Sequence, residues 1–227
     1  SPKADEIFKE TNKFQVKVAD LFESLSLPFD KTVLYAPSFE TDGKQEDIIE
    51  LLQGTKTNLL IKHWVISNED KKRYPDVWEN ITKACSRISK EQNHISILSP
   101  ELSIMTCLGL CDVLVTDESS VAYEALLLNK KVFTLKEWVM RTNNVESPRP
   151  VDPPKDIVDI VSREKFKELI TGYKKNSGLS ETIKKRDNLF AHLGESSEKI
   201  FDIVDAIINN LEIEYVIVSD KKIKKWL

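Results

Sequence analysis

A lysine and a histidine stand side by side at the end of an apolar segment, where they could act on a phosphate group. Lys62 and His63 close the apolar strand predicted for residues 57–62. A cation and an imidazole at a strand end can both bind phosphate oxygens, and the imidazole could also give or take a proton. The alternative is a structural histidine that caps the strand or packs beside Trp64. On the functional interpretation, His63 is the candidate catalytic residue and Lys62 a candidate phosphate-binding residue.

A second polar segment, Asp117–Ser120, follows the apolar run 112–116 and begins a predicted helix. The start of a helix leaves backbone amides without intrahelical partners, and such amides attract phosphate without any glycine-rich loop. Here the Ser119–Val121 amides and two hydroxyl groups could form a phosphate site. The same residues could equally act as ordinary helix N-caps. Glu118 would repel a phosphate unless its side chain points away.

Two further polar residues lie near these segment ends. Ser38 follows the apolar run 32–36 and Pro37, and Glu124 comes about one helical turn after the Ser119–Val121 segment. In a nucleotide site the Glu124 carboxylate could accept hydrogen bonds from sugar hydroxyls, but it could also be a solvated acid. We place both residues at the rim of the candidate site. The sequence contains neither GxGxxG nor GxxxxGK, so a typical dinucleotide fingerprint and a Walker P-loop are excluded.

The segments that position these residues are short apolar runs, typical of strands that are covered on both faces. The predicted strands are residues 32–36, 57–62, 95–98, 112–116 and 131–135, with a short sixth at 157–161. The predicted helices are residues 3–26, 46–52, 69–88, 99–110, 117–128, 162–175, 180–191 and 195–211. Strands that alternate with helices predict an α/β fold with a parallel sheet flanked by helices. In such folds ligands bind beyond the carboxyl ends of the strands.

Composition narrows the possible functions. The 227 residues include 33 basic and 37 acidic residues, for a net charge of −4, so we predict no nucleic-acid partner. The hydrophobic share of 41% and the charged share of 31% fit a globular domain rather than a disordered or fibrous chain. The three cysteines, Cys85, Cys107 and Cys111, are too few for a disulfide framework and favour a reducing compartment. With three scattered histidines they predict no metal site.

Several segments, taken in order, resemble the carboxyl-terminal half of the CDP-glycerol glycerophosphotransferase family, the teichoic-acid polymerases and primases. That family typically shows LYAPTFR, then an apolar strand ending in KxHP, then DxLITDYSSV and a strand KPxIF. The matching segments here are Val33–Phe39, Leu60–His63, Asp112–Val121 and Asn129–Phe133. The resemblance covers roughly residues 27–135 and weakens over 156–211.

This resemblance implies a GT-B fold, in which two Rossmann-like lobes face each other and the second lobe binds a nucleotide-activated donor. The chain would be that second lobe. In the family, the residues corresponding to His63, Ser119 and Ser120 engage the donor diphosphate. Their neighbours in the same segments are Lys62, Thr116, Asp117 and Val121. The resemblance implies a CDP-linked donor as substrate, no cofactor and no metal.

The chain also departs from the family pattern. Trp64 replaces the proline after the histidine, Glu118 replaces a tyrosine, and Glu40 replaces an arginine. The family's first lobe carries its own catalytic histidine in an HG(T/E) segment, and no His-Gly pair occurs here. The chain would then be an excised domain or a free-standing homologue. We expect an acceptor lobe in cis or in trans, and no transfer by the isolated chain.

The resemblance divides the chain into three parts. Residues 1–26 form an N-terminal helix or linker, residues 27–211 the Rossmann-like nucleotide-donor-binding domain, and residues 212–227 a basic tail. Family members work at the cytoplasmic face of the membrane, which predicts a cytoplasmic protein at that inner face. The lysine-rich segment Lys221–Leu227 could add weak contact with anionic lipid, or it could be a solvated terminus.

Three functions therefore remain open. The first is the donor lobe of a CDP-glycerol-type polyol-phosphate glycerophosphotransferase in cell-wall or surface polymer synthesis. The second is the donor lobe of a nucleotide-sugar GT-B glycosyltransferase or an epimerase relative, which Glu124 would favour. The third is a non-catalytic interaction module that kept the fold, which Glu40 and Glu118 would favour.

Overall fold

The structure is a computed structural model that describes residues 2–38, 43–76, 78–79, 93–140, 152–175, 178–190 and 193–209. The predictions that concern Phe39, Glu40, Cys85 and the tail 212–227 lie outside the described residues. Parts of the predicted helices 69–88, 180–191 and 195–211 also lie outside them.

A parallel sheet of six strands forms the centre of the described fold. The strands are β1 (Thr32–Tyr35), β2 (Asn58–Ile61), β3 (Ile95–Ile97), β4 (Val113–Val115), β5 (Lys131–Leu135) and β6 (Asp159–Val161). All five neighbouring pairs are parallel. Every residue of β1, β2 and β4 is buried, as expected for strands covered on both faces. The predicted α/β fold and all six predicted strands are confirmed.

Ten helices lie within the described residues. They are α1 (Pro2–Lys9), α2 (Thr11–Leu25), α3 (Lys44–Leu52), α4 (Asn68–Arg73), α5 (Ile104–Leu110), α6 (Val121–Leu127), α7 (Lys136–Met140), α8 (Arg163–Thr171), α9 (Leu179–Leu189) and α10 (Ser196–Ile208). None of the helices in the described ranges is long and apolar enough to cross a membrane.

The strand order is β3-β2-β1-β4-β5-β6, the order of a Rossmann-like sheet. From β1 the chain first adds strands on one side and then returns to add β4, β5 and β6 on the other. The order therefore reverses between β1 and β4. In open α/β sheets the crevice beyond the carboxyl ends at such a switch point is the usual ligand site.

Large side chains fill the core on one face of the sheet. The rings of Tyr35 and Trp138 lie 6.0 Å apart between centroids, and those of Phe133 and Phe166 lie at the same separation. All four are buried. Burying one such side chain stabilises a fold by roughly 1.5–3 kcal/mol. These contacts tie β1 and β5 to the helices that follow β5 and β6.

The prediction that a helix begins at Ser99 is wrong. The Leu102 amide donates to Ser99 O at 3.1 Å in a turn, and α5 begins five residues after Ser99, with Ser103 as its N-cap. A proline after a serine suits a turn as well as a helix start, so the local signal could not distinguish them. Burial decides the outcome, because the helix that begins at Ile104 places Met105 and Leu108 in the core.

The predicted helix 3–26 is interrupted at Glu10, giving α1 and α2. Thr11 and Asn12, which follow the break, are weak helix formers. The chain divides into two compact units at the same place: Ser1–Glu10 with Ala191–Leu227, and Thr11–Phe190. In the smaller unit, the Asp5 carboxylate accepts hydrogen bonds from the first amides of α10. The boundaries predicted at residues 26 and 211 stay predictions.

Candidate functional site

The carboxyl ends of β1 and β4 are joined by hydrogen bonds at the switch point. The Ala36 amide donates to Val115 O at 3.1 Å, and Thr116 Oγ1 donates to Ala36 O at 2.7 Å. Beside this contact, the Ser38 amide donates to Asp117 Oδ1 at 2.7 Å. The structure thus brings together Ser38, Thr116 and Asp117, three residues that the sequence placed at the candidate site. The side chains of Thr116 and Asp117 are buried and hold the two loops together.

Asp117 also forms a buried ion pair with Lys44, a residue that the sequence analysis did not select. Lys44 Nζ lies 2.8 Å from Asp117 Oδ2, and the two side chains are 4% and 1% exposed. Lys44 begins α3, and Gly43 before it has a φ of 69°, a left-handed conformation that favours glycine. Because the ion pair compensates the Asp117 charge, a phosphate near this loop would not meet an unpaired carboxylate.

The next residue of α3, Gln45, contacts His63 at the end of β2. Gln45 Oε1 lies 2.8 Å from His63 Nε2, and both side chains are buried. The other ring nitrogen, Nδ1, is buried and has no hydrogen-bond partner among the described residues. Burial, together with the positive charge of Lys62, lowers the pKa of His63 to about 4. His63 is therefore neutral at pH 7 in the ligand-free protein.

Helix α3 is held firmly enough to position both of these residues. Its buried Ile48 packs in the core under the sheet. The Asp47 carboxylate accepts a hydrogen bond from Trp138 Nε1 at 2.8 Å and another from Arg163 Nη1 at 2.7 Å. Consecutive residues at the start of one anchored helix thus reach the β4 loop and the end of β2.

Lys62 is buried, and its ammonium group is used within the protein. Lys62 Nζ donates to Pro100 O at 2.9 Å and, more weakly, to His63 O at 3.4 Å. Desolvation lowers the pKa of Lys62, and the Cys107 and Glu101 side chains partly offset that effect. The lysine therefore ties the turn after β3 to the end of β2, and it adds positive charge beside His63.

The start of α6 supplies backbone amides next to the switch point. Ser120 is the N-cap residue, but its side chain makes no capping hydrogen bond. The Val121 amide donates to Ser119 Oγ at a long 3.4 Å. The amides of Ser119 and Ser120 have no hydrogen-bond partner in the described part of the chain. Ser119 is buried and Ser120 is exposed, so the pair lies at the surface of the switch point.

The two acids of this segment have different surroundings. Glu118 Oε2 accepts a hydrogen bond from the Asp152 amide at 3.4 Å, so its carboxylate faces residue 152 of the chain. Glu124 lies half-buried in the first turn of α6. Glu118 is the residue that the sequence analysis identified as an obstacle to phosphate binding, and the hydrogen bond to Asp152 gives its carboxylate another partner.

The predicted residues lie at the carboxyl ends of three adjacent strands, β2, β1 and β4. Since β1 lies between β2 and β4, the ends of β2 and β4 are two strand spacings apart, about 10 Å. Lys44 and Gln45 connect the ends of β2 and β4, and neither residue was predicted from the sequence. They lie in a polar segment without any local pattern that distinguishes a buried helix start from a solvated loop.

The cysteines of the described residues are buried thiols. Cys107 and Cys111 are free, and burial raises the pKa of Cys107 to about 11 and that of Cys111 to about 12. Thiols with such pKa values stay protonated at pH 7 and are poor nucleophiles and metal ligands. In the described ranges, no group of three or more His, Cys, Asp and Glu side chains could hold a metal ion.

A cavity of about 260 Å³ lies at the amino ends of the strands, where β4 and β5 begin, and so at the end of the sheet opposite to the candidate site. Its lining residues are Asp112, Leu128, Asn129, Lys130, Lys131, Tyr173, Lys175 and Leu179. None of the predicted site residues lines this cavity. Its lining includes three lysines, Lys130, Lys131 and Lys175, and one acid, Asp112.

Solved structures with the same fold include proteins of two groups. The wall teichoic acid polymerase TagF matches 92% of this chain and 52% of its own, with 18% identity and a TM-score of 0.58. A TagF variant soaked with CDPG matches with a TM-score of 0.54 and 18% identity, over 92% of this chain and 49% of that one. The UDP-GlcNAc 2-epimerase of Methanocaldococcus jannaschii, in complex with UDP-GlcNAc and UDP, has a TM-score of 0.54 and 16% identity, over 89% and 52%.

These similarities confirm a Rossmann-like lobe of the GT-B type, and the chain spans about half the length of the structures it matches. A comparison with curated protein sequences finds no match. The family model for CDP-glycerol:poly(glycerophosphate) glycerophosphotransferase matches residues 1–204. The suspected resemblance is thereby confirmed, and the chain belongs to the CDP-glycerol:poly(glycerophosphate) glycerophosphotransferase family.

Proposed function

We propose that this chain binds the CDP-linked donor of a polyol-phosphate glycerophosphotransferase that builds a teichoic-acid-type polymer. The observation that carries the proposal is the buried Nδ1 of His63, which has no partner at the ligand-binding edge of a sheet whose family uses CDP-glycerol. A buried polar atom without a partner is costly, and a ligand atom that pairs with it recovers that cost.

The residues around the switch point suit a diphosphate. The free amides of Ser119 and Ser120 can donate to phosphate oxygens, as amides at helix starts commonly do. His63 Nδ1 can donate to the same diphosphate once it is protonated. Both phosphates of a CDP-linked ligand accept hydrogen bonds, so they need hydrogen-bond donors from the protein. The ends of β2 and β4, about 10 Å apart, can contact successive groups of one extended ligand.

The remaining predicted residues would support this contact. Thr116 and Asp117 hold the loop that presents the amides, and Lys62 adds positive charge beside His63. Val121 donates toward Ser119 and would complete the turn around a phosphate. Ser38 and Glu124 would lie at the rim, with Glu124 placed to accept hydrogen bonds from ribose hydroxyls. The proposed mechanism stabilises charge on the leaving phosphate, which is the usual task of oriented amides in phosphoryl-group transfer.

The proposal includes an acceptor-binding lobe, in cis or in trans, because transfer needs both reactants held in near-attack geometry. It also places the protein in the cytoplasm at the inner face of the membrane. There the lysine-rich segment 221–227 would add a weak contact with anionic lipid. In this proposal the 227 residues alone bind donor without transferring it.

A second candidate function is donor binding in a nucleotide-sugar enzyme. It is favoured by the half-buried Glu124 in the first turn of α6 and by the fold that the chain shares with a UDP-GlcNAc 2-epimerase. The two candidates differ in the base and in the group attached to the diphosphate. Ligand preference therefore separates them.

The test is a thermal-shift series with CDP-glycerol, CMP and UDP-GlcNAc. At about 100 times its dissociation constant, CDP-glycerol should stabilise the fold by about 2.7 kcal/mol. Ser119→Ala combined with Ser120→Ala should weaken this effect moderately, since the amides remain, and His63→Ala should weaken it more. Lys131→Ala, which removes a cation from the opposite edge, is the matched control and should leave the shift unchanged. A larger response to UDP-GlcNAc would support the second candidate, and no response to any ligand would contradict both.

A further inference from the structure

We propose that Gln45 holds His63 in the tautomer that carries its proton on Nε2, so that donor binding requires the uptake of one proton on Nδ1. Gln45 would thus be a positioning residue that makes donor affinity depend on pH. This inference rests on the proposed function, because it concerns how His63 meets the donor diphosphate.

The contact between the two side chains fixes which nitrogen carries the proton. Gln45 presents its carbonyl oxygen, Oε1, to His63 Nε2 at 2.8 Å, and a carbonyl oxygen can only accept. With the Gln45 amide in this orientation, Nε2 is the donor. In a neutral imidazole the other nitrogen then has a lone pair and no proton. That nitrogen is Nδ1, the buried atom without a hydrogen-bond partner.

Gln45 cannot easily move away from this position. It is buried in the first turn of α3, next to Lys44, whose ammonium group is 2.8 Å from the Asp117 carboxylate. The helix is further held through Asp47. The side chain that selects the tautomer is thus fixed by the same helix that closes the switch point.

Burial and the charges around His63 keep it neutral when no ligand is bound. Lys62, the preceding residue just after β2, opposes a second positive charge, and beyond it Glu101 interacts with Lys62. On α3 and the β4 loop, the Lys44–Asp117 ion pair contributes opposite charges that offset each other. The Trp64 ring lies edge-on at 6.3 Å and carries no charge. Burial accordingly lowers the pKa of His63 to about 4.

A diphosphate cannot bind productively to this form of the ring. Phosphate oxygens are hydrogen-bond acceptors, and Nδ1 is also an acceptor in this tautomer. The two therefore cannot form a hydrogen bond. If Nδ1 takes a proton from solvent, the imidazolium donates from Nδ1 to the phosphate and from Nε2 to Gln45. The negative charge of the diphosphate then stabilises the imidazolium, so the pKa of His63 rises on binding. Binding and protonation are therefore linked.

The linkage has a defined sign. At pH values between the pKa of His63 in the free protein and its pKa in the complex, only the complex holds the extra proton. The affinity for CDP-glycerol therefore falls as pH rises, by up to tenfold per pH unit. Both phosphates of CDP-glycerol are doubly substituted and do not titrate near neutral pH, so the proton must come to the protein. CMP is a poor ligand for this test, because a phosphate monoester titrates near pH 6.

The first measurement uses the ligand-free protein. Long-range proton–nitrogen correlation NMR of histidine-labelled protein, with the His63 signals assigned from the His63→Ala spectrum, should show a pyrrole-type Nε2 and a pyridine-type Nδ1 at pH 7. Gln45→Leu removes the acceptor and should raise the population of the other tautomer. A wild-type ring with its proton on Nδ1, or a charged ring at pH 7, would overturn the inference without any use of the donor.

The second measurement counts protons during CDP-glycerol binding. Calorimetric titrations in two buffers with different ionisation enthalpies should show uptake of close to one proton at pH 6–7 in the wild type. Gln45→Glu places a carboxylate against Nε2, protonates His63 beforehand and should reduce the uptake. Gln53→Glu makes the same change at the exposed residue that ends the same helix, and it should keep the full uptake.

The outcomes separate this inference from the proposed function. If CDP-glycerol binds with no proton uptake, the inference is wrong and the proposed function stands. Uptake that persists in His63→Ala would assign the proton to another group and would also overturn it. If CDP-glycerol does not bind at all, the proposed function fails, and the NMR result still decides whether Gln45 sets the tautomer. If Gln45→Leu does not fold, Gln45→Glu and the wild-type spectrum keep the test decisive.

Discussion

Lys44→Met is expected to destabilise the protein strongly, although a lysine on a polar segment would ordinarily tolerate replacement. The substitution keeps most of the stem and removes the charge that pairs with Asp117 at 2.8 Å. At an effective dielectric constant of about 20, two charges at this separation attract each other by about 6 kcal/mol, which offsets the cost of burying them. Removing one partner of such a buried pair costs about 3–5 kcal/mol, because the other charge stays buried without compensation.

Urea unfolding followed by circular dichroism measures this cost. For a domain of this size, the loss corresponds to a fall in Tm of roughly 2–4 °C per kcal/mol. Lys165→Met is the matched control, since Lys165 pairs with Glu168 at a similar 3.0 Å, but the two side chains are 52% and 70% exposed. The control should lose less than about 1 kcal/mol, because solvent screens an exposed pair.

A double-mutant cycle completes the test. Asp117→Asn keeps an acceptor for the Ser38 amide but removes the carboxylate that pairs with Lys44, so it should also destabilise the fold. The double variant Lys44→Met/Asp117→Asn should be more stable than the sum of the two single losses predicts, by about 2 kcal/mol or more. If Lys44→Met costs no more than Lys165→Met, or if the losses simply add, the ion pair does not hold the switch point as described.

Three further predictions concern other parts of the chain. The pKa of His63 falls from 6.5 to about 4 on folding, so between these pH values the unfolded chain binds more protons than the folded chain. The free energy of unfolding should therefore drop by about 3 kcal/mol from pH 6.5 to pH 4, which the difference between wild type and His63→Gln should show in pH-dependent urea titrations. Gly109→Ala would place Cβ 2.5 Å from Val18 Cγ2 and should cost about 1–3 kcal/mol, whereas Gly172→Ala, whose Cβ meets nothing closer than 3.4 Å, should be tolerated; equal stabilities would contradict this. Deleting residues 221–227 should reduce cosedimentation with anionic vesicles at low salt, and unchanged sedimentation would remove the proposed membrane contact.

The strands could be predicted from sequence because each is a short, nearly continuous apolar run. Runs such as Val113–Val115 bury both faces, and burial on both faces is what a parallel sheet requires. The position of His63 followed from the same pattern, since a residue that directly follows a parallel strand lies at the carboxyl end of the sheet. Local hydrophobicity thus determined both the sheet and the edge where the candidate site lies.

The contacts that organise the site could not be predicted in this way. Lys44 and Asp117 are 73 positions apart, and no local pattern marks a lysine that will be buried against a distant carboxylate. Gln45 likewise acquires its partner only when α3 packs beside β2. The helix start at Ser103 was missed because Ser99 carries the same capping signals, and the choice between them is made by core packing rather than by the cap.

A crystal structure of this chain with CDP-glycerol would show directly where the donor binds. We expect the diphosphate to lie beyond the carboxyl ends of β1 and β4, with one phosphate oxygen about 2.7–3.2 Å from His63 Nδ1 and another within the same distance of the Ser119 or Ser120 amide. A diphosphate bound instead at the amino ends of the strands, in the cavity lined by Lys131 and Lys175, would contradict the proposed site.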